Sequence, residues 1–177
     1  MSLALIDAPV LTTERLILRA PEALDFTPYA DYWASERSRY MGGPQNRAAA
    51  WRAFAAEMGH WLLRGYGLFR LIERDTGAHV GQAGFWNPEG WPEPELGWVL
   101  FDGFEGRGFA REAALRLRAF AYDTLAWTTL TSVIAPDNAR SIALAERLGA
   151  TFERDWTSPA GKPARIYRHP GPRKAER

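Results

Sequence analysis

Residues 101–113, FDGFEGRGFAREA, place three glycines within six positions and then enter a helix-forming run. The stretch before them, ELGWVLF, reads as a strand. After them Ala110, Ala113, Ala114, Leu117, Phe120 and Ala121 fall on one face of a 3.6-residue period. A strand therefore passes directly into an amphipathic helix, with Gly106 and Gly108 in the turn, and the small alanines let that helix lie close to a sheet. Glu112 and Arg116, at i,i+4, are expected to pair on the helix's other side. Bare backbone at the foot of a helix has two uses. It makes a tight turn, or it lets an anion approach unpaired N–H groups at a partly positive helix end. The glycine spacing leaves both open.

The rest of the chain alternates without repeats. Glu14 to Ala20 reads as a short strand, and the segments Asp25 to Glu36 and Asn46 to Leu63 read as helices. YGLFRLIER and HVGQAGFW are strand-like runs separated by DTG, a hairpin signal. A Pro-rich loop, NPEGWPEP, leads into ELGWVLF; beyond the glycine turn and its helix come LTSVIA, a helical PDNARSIALAERLGA, and the strand pair TFERDW and ARIYRH. This order predicts a mixed α/β sheet with helices on its faces. Residues 1–169 read as one domain and 170–177, PGPRKAER with its preceding Pro/Gly break, as a loose tail.

Composition excludes several classes. Lys and Arg number 22 against 21 Asp and Glu, so no basic field points to nucleic acid or to a membrane surface. Cysteine is absent, which removes disulfides, thiolate metal sites and a cysteine nucleophile. The start, MSLALIDAPVLTTERL, has neither a charged n-region nor a long apolar core, and no run approaches the ~18 apolar residues of a membrane span. A cytoplasmic protein is the expectation. His60, His79 and His169 are scattered without ligand spacing, read as helix, turn and tail residues, and no metal is expected. Trp33, Tyr40 and Trp86 are candidates for an acceptor pocket or, as is commoner for aromatics, for core.

A phosphate ligand at the glycine turn has several precedents. The turn lacks the lysine and hydroxyl of G-x-x-x-x-G-K-[ST], and Arg111 stands where a dinucleotide fingerprint needs its third small residue. Read as E-x-x-G-x-A over Glu105, Gly108 and Ala110, it resembles the Q/R-x-x-G-x-G/A pyrophosphate loop of the GNAT N-acetyltransferases. APDNARSIALAERLGATFE, with Asn138, Ser141, Glu146 and Gly149, resembles the strand and helix that follow in that superfamily. LTTERLILR resembles the branch that includes the ribosomal-protein N-terminal acetyltransferases. The resemblance implies a GNAT fold: a central mixed, mostly antiparallel sheet of six to seven strands flanked by about four helices.

It also implies acetyl-CoA as cosubstrate. The amides of Gly106, Arg107, Gly108, Phe109, Ala110 and Arg111 would take its pyrophosphate, and the main chain of Val99 and Leu100 would pair with its pantetheine arm. Asn138 would bond that arm, and Ser141 would lie near the thioester. Two positions depart from the pattern. Glu105 puts a carboxylate beside the phosphates unless it turns away, and Ala145 stands where many relatives carry a proton-donating tyrosine, leaving Ser141 as the candidate acid. Homodimers are common in such families, although no stretch here demands one.

Acetyl transfer to an amine needs a neutral nucleophile. A lysine-like amine titrates near ~10.4 and an α-amine near ~8, so a base matters more for the first. Glu95 opens the strand expected beside the pantetheine arm and is the candidate base; the competing reading is a solvated strand-end carboxylate. Glu93 is the alternative base. The implied acceptor is a small-molecule amine or a protein N-terminus, with a non-catalytic acyl-CoA sensor as the other class.

Overall fold

The computed structural model describes residues 7–172. Among them lie eight strands and four α-helices, one strand more than the upper expectation. The addition is β1 (Leu11–Thr12), which folds back on β2 (Leu16–Arg19) through a turn closed by the Thr13 amide on the Leu16 carbonyl at 2.9 Å. Two residues cannot display an alternation, so the sequence hides this strand. Helices α1 (Phe26–Ala34) and α2 (Arg47–Arg64) follow, joined through a 3-10 segment, Glu36–Met41. Asn46 caps α2 by accepting the Ala49 amide at 2.9 Å.

Next come the antiparallel β3 (Leu68–Glu73), β4 (His79–Trp86) and β5 (Glu95–Leu100). Helix α3 (Phe109–Asp123), β6 (Thr131–Ile134), α4 (Ala139–Arg147), β7 (Thr151–Thr157) and β8 (Pro163–Arg168) complete the chain. The strands run in the order β1-β2-β3-β4-β5-β6-β8-β7. Each neighbouring pair is antiparallel except β5 with β6.

One sheet face is apolar. Leu16, Leu18, Phe69, Leu71, Ala83, Phe85 and Leu96 meet the alanine face of α3, and all six residues of the expected helical stripe are buried. The other face is polar where α1 and α2 cover it. The register aligns Arg19, Arg70, Gln82 and Val99 across β2 to β5. Arg70 is fully buried, pairs with Glu57 at 2.8 Å and lies under the Tyr29 and Phe54 rings. Glu57 also accepts from the Tyr29 hydroxyl at 2.9 Å and the Gln82 amide at 3.1 Å. A charge removed from water here is held by partners on three elements.

Trp33 belongs to the small cluster of α1 and α2, and Trp86 stacks on His60 at 4.7 Å, so both serve packing. His169 is a buried residue next to β8, with its amide on the Leu130 carbonyl, and not part of a loose tail. The Pro170 carbonyl accepts from the Tyr122 hydroxyl at 2.7 Å, so the chain is tied down at this point. Residues 173–177 of the expected tail lie outside the described residues. No helix among the described residues is long and apolar enough to cross a membrane.

Candidate active site

The parallel strands β5 and β6 pair at one register, Glu95 with Thr131. Beyond it side chains replace the ladder. The Val133 amide donates to Glu95 Oε2 at 3.2 Å, and the Ser132 hydroxyl donates to the Leu96 carbonyl at 2.6 Å while accepting from His169 Nε2 at 2.9 Å. These groups satisfy main-chain atoms that a continued ladder would have used, and so hold a cleft open between the strands. Trp98 packs against the clusters on both sides of it.

Strand parity decides which residues offer main chain to this cleft. The Phe101 amide bonds the Val80 carbonyl at 2.9 Å, toward β4. In an extended strand the polar groups of alternate residues share an edge, so those of Val99 also face β4. Those of Trp98 and Leu100 face the cleft, and the Leu100 carbonyl there accepts from Arg37 Nη2 at 3.2 Å. The expected main-chain pairing of Val99 with a ligand is therefore corrected: its main chain is spent in the β4–β5 ladder, and Trp98 occupies the edge position.

Glu95 is no solvated strand end. The residue is half-buried with its carboxyl group enclosed, and this burial pushes its pKa up to about 7, offset in part by the nearby Trp91 indole and the Val133 amide. Glu93, the alternative base, is held by both Nη atoms of Arg168 at 2.5 and 2.8 Å, and Arg168 also grips Glu153. Its carboxylate is committed to tying the β4–β5 loop to β8.

The glycine turn matches its reading as a helix foot. Gly103, Gly106 and Gly108 have φ of +82°, +72° and +85°, a region costly for other residues, and Gly108 is the N-cap of α3. The helix's own bonding begins with the Glu112 amide on the Gly108 carbonyl at 3.0 Å, so the amides of Phe109, Ala110 and Arg111 precede the ladder. A Cβ on Gly106 would meet nothing within 4 Å, which leaves the turn open to an approaching group.

Glu112 does not form the expected pair with Arg116. Its carboxylate accepts from the Thr13 hydroxyl at 2.6 Å, the Arg15 amide at 2.9 Å and Arg15 Nε at 2.7 Å. Burial alone would raise this carboxyl; those bonds hold it below its ordinary value. Arg15 continues to the Arg107 carbonyl at 2.9 Å and lies over the Phe109 ring. The LTTER segment is thus the staple of the glycine turn, a role with no local signal in either stretch. Arg107 turns its side chain to Glu73, leaving only its amide for a ligand. Arg111 and Arg116 line a groove of about 520 Å³ with Arg15 and Gly108. Glu105 turns toward Arg37, which pairs with it.

Asn138 caps α4, its Oδ1 accepting the Ser141 amide at 3.3 Å, which leaves its side-chain NH₂ for another partner. Ser141 lies in the first turn, half-buried. Ala145 is fully buried against Ile134, Ala150 and Tyr167. The Tyr40 hydroxyl reaches the Asp137 carbonyl at 3.2 Å, so this pocket candidate stands where β6 gives way to α4.

Comparison with known proteins bears on the family and the fold. The family described as the acetyltransferase (GNAT) domain matches residues 15–151. The N-acetyltransferase p20 of Bacillus licheniformis is 28% identical over 164 residues, 89% of this chain and 92% of its own length. An acetyltransferase structure from Agrobacterium tumefaciens superposes with a TM-score of 0.85 at 39% identity, covering 92% of this chain and 95% of its own. The ribosomal-protein-S5-alanine acetyltransferase of Vibrio fischeri shares the fold, with a TM-score of 0.67 at 15% identity, covering 91% of this chain and 96% of its own.

Proposed function

The chain belongs to the GNAT acetyltransferase domain family, and from that premise we propose that it transfers an acetyl group from acetyl-CoA to a primary amine by direct attack. One observation carries the reading. The cleft between β5 and β6 has the glycine-turn amides at one end and an enclosed carboxyl group, Glu95, where the strands meet.

The site's residues fit the cosubstrate. The amides from Gly106 to Arg111 suit a pyrophosphate, and the cleft edge of Trp98 and Leu100 suits an extended pantetheine arm, with the Val99 side chain alongside. The Asn138 NH₂ suits the arm's carbonyls. Arg111 and Arg116 in the adjoining groove suit the charged nucleotide end.

In the reaction the amine nitrogen forms a bond to the thioester carbonyl carbon, and the carbon–sulfur bond breaks. Glu95, with a pKa of about 7, takes the proton lost by the amine directly or through a water. The departing sulfur takes a proton for which Ser141 is the candidate donor. The acceptor is a protein N-terminus or a small-molecule amine, as implied by the branch that LTTERLILR resembles.

A second reading, an acyl-CoA-binding regulator, is favoured by the buried Ala145, which offers no phenol from α4. Titration calorimetry with acetyl-CoA and mass spectrometry of amine products separate the two. A transferase binds and yields an acetylated amine; a regulator binds and yields none. Failure to bind defeats both.

A further inference from the structure

The segment Glu36–Met41 grips both walls of the cleft. From it Arg37 reaches the end of β5 and the glycine turn, while Tyr40 reaches the carbonyl of Asp137 before α4. Arg37 Nη2 meets both the Leu100 carbonyl and the Glu105 carboxylate, and Nη1 lies 3.4 Å from Asp102. The turn thus carries two carboxylates, Asp102 and Glu105. Its own cation, Arg107, is turned to Glu73, and the neighbouring Arg15 is bound to Glu112. A diphosphate arriving at the amides of 106–111 would meet these two like charges on one side and Arg111 of the adjoining groove on the other, and Arg37 is the cation that holds the carboxylates.

We propose that Arg37 is a positioning residue of the donor site: it neutralises and draws aside Glu105, so that this turn accepts a diphosphate although it carries a carboxylate. The inference rests on the acetyl-CoA reading above. It accounts for how Glu105 is tolerated, because a carboxylate a few ångströms from a phosphate opposes binding unless a cation screens it. The guanidinium also sits on the Leu100 carbonyl, so an arm pairing with that edge takes the place of one of its bonds while the Glu105 contact persists.

The test is a charge cycle read on two acetyl donors: acetyl-CoA, and S-acetylpantetheine, which lacks the diphosphate. Arg37→Gln is expected to raise the KM for acetyl-CoA about tenfold, equivalent to about 1.4 kcal/mol, with kcat little changed. Arg37→Gln/Glu105→Gln is expected to return it to within about threefold of the wild type, because the half-buried carboxylate is gone and the Asp102 that remains is exposed to solvent. Arg37→Lys should lie between. S-acetylpantetheine, which meets Arg37 only at the Leu100 carbonyl, should show no such rise in KM with any of the variants. A double variant as weak as Arg37→Gln, or an equal loss for both donors, would overturn the proposal and leave Arg37 a merely structural tie. Wild-type protein that fails to bind acetyl-CoA would instead remove the donor-site reading on which the inference rests.

Discussion

The Val133 amide and the Glu95 carboxylate meet at 3.2 Å just past the register at which β5 and β6 pair. One side chain therefore does two things. It satisfies an amide that the opening ladder abandons, and it leaves an enclosed carboxyl group at the apex of the cleft. An enclosed carboxylate with a pKa of about 7 is poised to accept a proton at neutral pH.

Glu95→Gln keeps an oxygen for the Val133 amide and removes the base. Turnover should fall by about 10²–10⁴-fold, the usual contribution of a general base, with acetyl-CoA affinity unchanged by calorimetry. In the wild type, kcat should rise with pH through about 7 and then level, and the variant should lose that inflection. A variant with wild-type turnover would remove Glu95 from the mechanism.

The same shift has a cost in stability. The folded pKa of Glu95 lies above its ordinary value of 4.5, so the folded state binds more protons between about 4.5 and about 7. Stability contributed by this group is therefore lost as pH rises through that window. Glu95→Gln should raise the melting temperature at pH 8 by an amount worth about 1–3 kcal/mol and leave it nearly unchanged at pH 4. Equal shifts at both pH values would show that packing, not ionisation, sets the difference.

Glu112 works in the opposite direction. Its carboxyl is held below the ordinary value, so its bonds to Thr13 and Arg15 stabilise the fold above the usual carboxylate range and weaken as pH falls through the lowered pKa. Glu112→Ala should cost about 1–2 kcal/mol in urea unfolding at pH 7 and weaken acetyl-CoA binding, since the same contacts brace the glycine turn. Loss of stability without loss of affinity would separate the staple from the site.

The buried pair on the other face is a matter of fold. Glu57→Leu would leave the fully buried Arg70 without its carboxylate, and the expected cost is about 3–5 kcal/mol. Adding Arg70→Leu should recover much of it, because the uncompensated charge disappears. A double variant less stable than Glu57→Leu alone would mean that packing of the Arg70 stem against Tyr29 and Phe54 dominates.

Periodicity made the fold legible: the stripe from Ala110 to Ala121 has each of its residues buried, and the strands from Leu16 to Arg168 lie in their expected segments. The glycine turn was legible because positive φ and a helix start each leave a local mark. Arg37, Arg15 and Ser132 left none. Each acts through a partner distant in sequence, as Arg15 does on Glu112, 97 positions away, and an arginine in ASERSRY looks like any solvated charge. Val99 is a subtler case: its strand lies in the expected segment, but the edge its main chain faces depends on the register with β4, which one strand's sequence does not contain.

The most direct test of the account is acetyl-CoA-dependent release of CoA thiol over two pools of amines. One holds peptides with free Ala, Ser or Met N-termini, the other amino acids, polyamines and aminoglycosides. Release with one pool, abolished in Glu95→Gln, is the predicted result and selects the acceptor class. Silence from both pools in a protein that still binds acetyl-CoA would contradict acetyl transfer to these amines and favour the regulator.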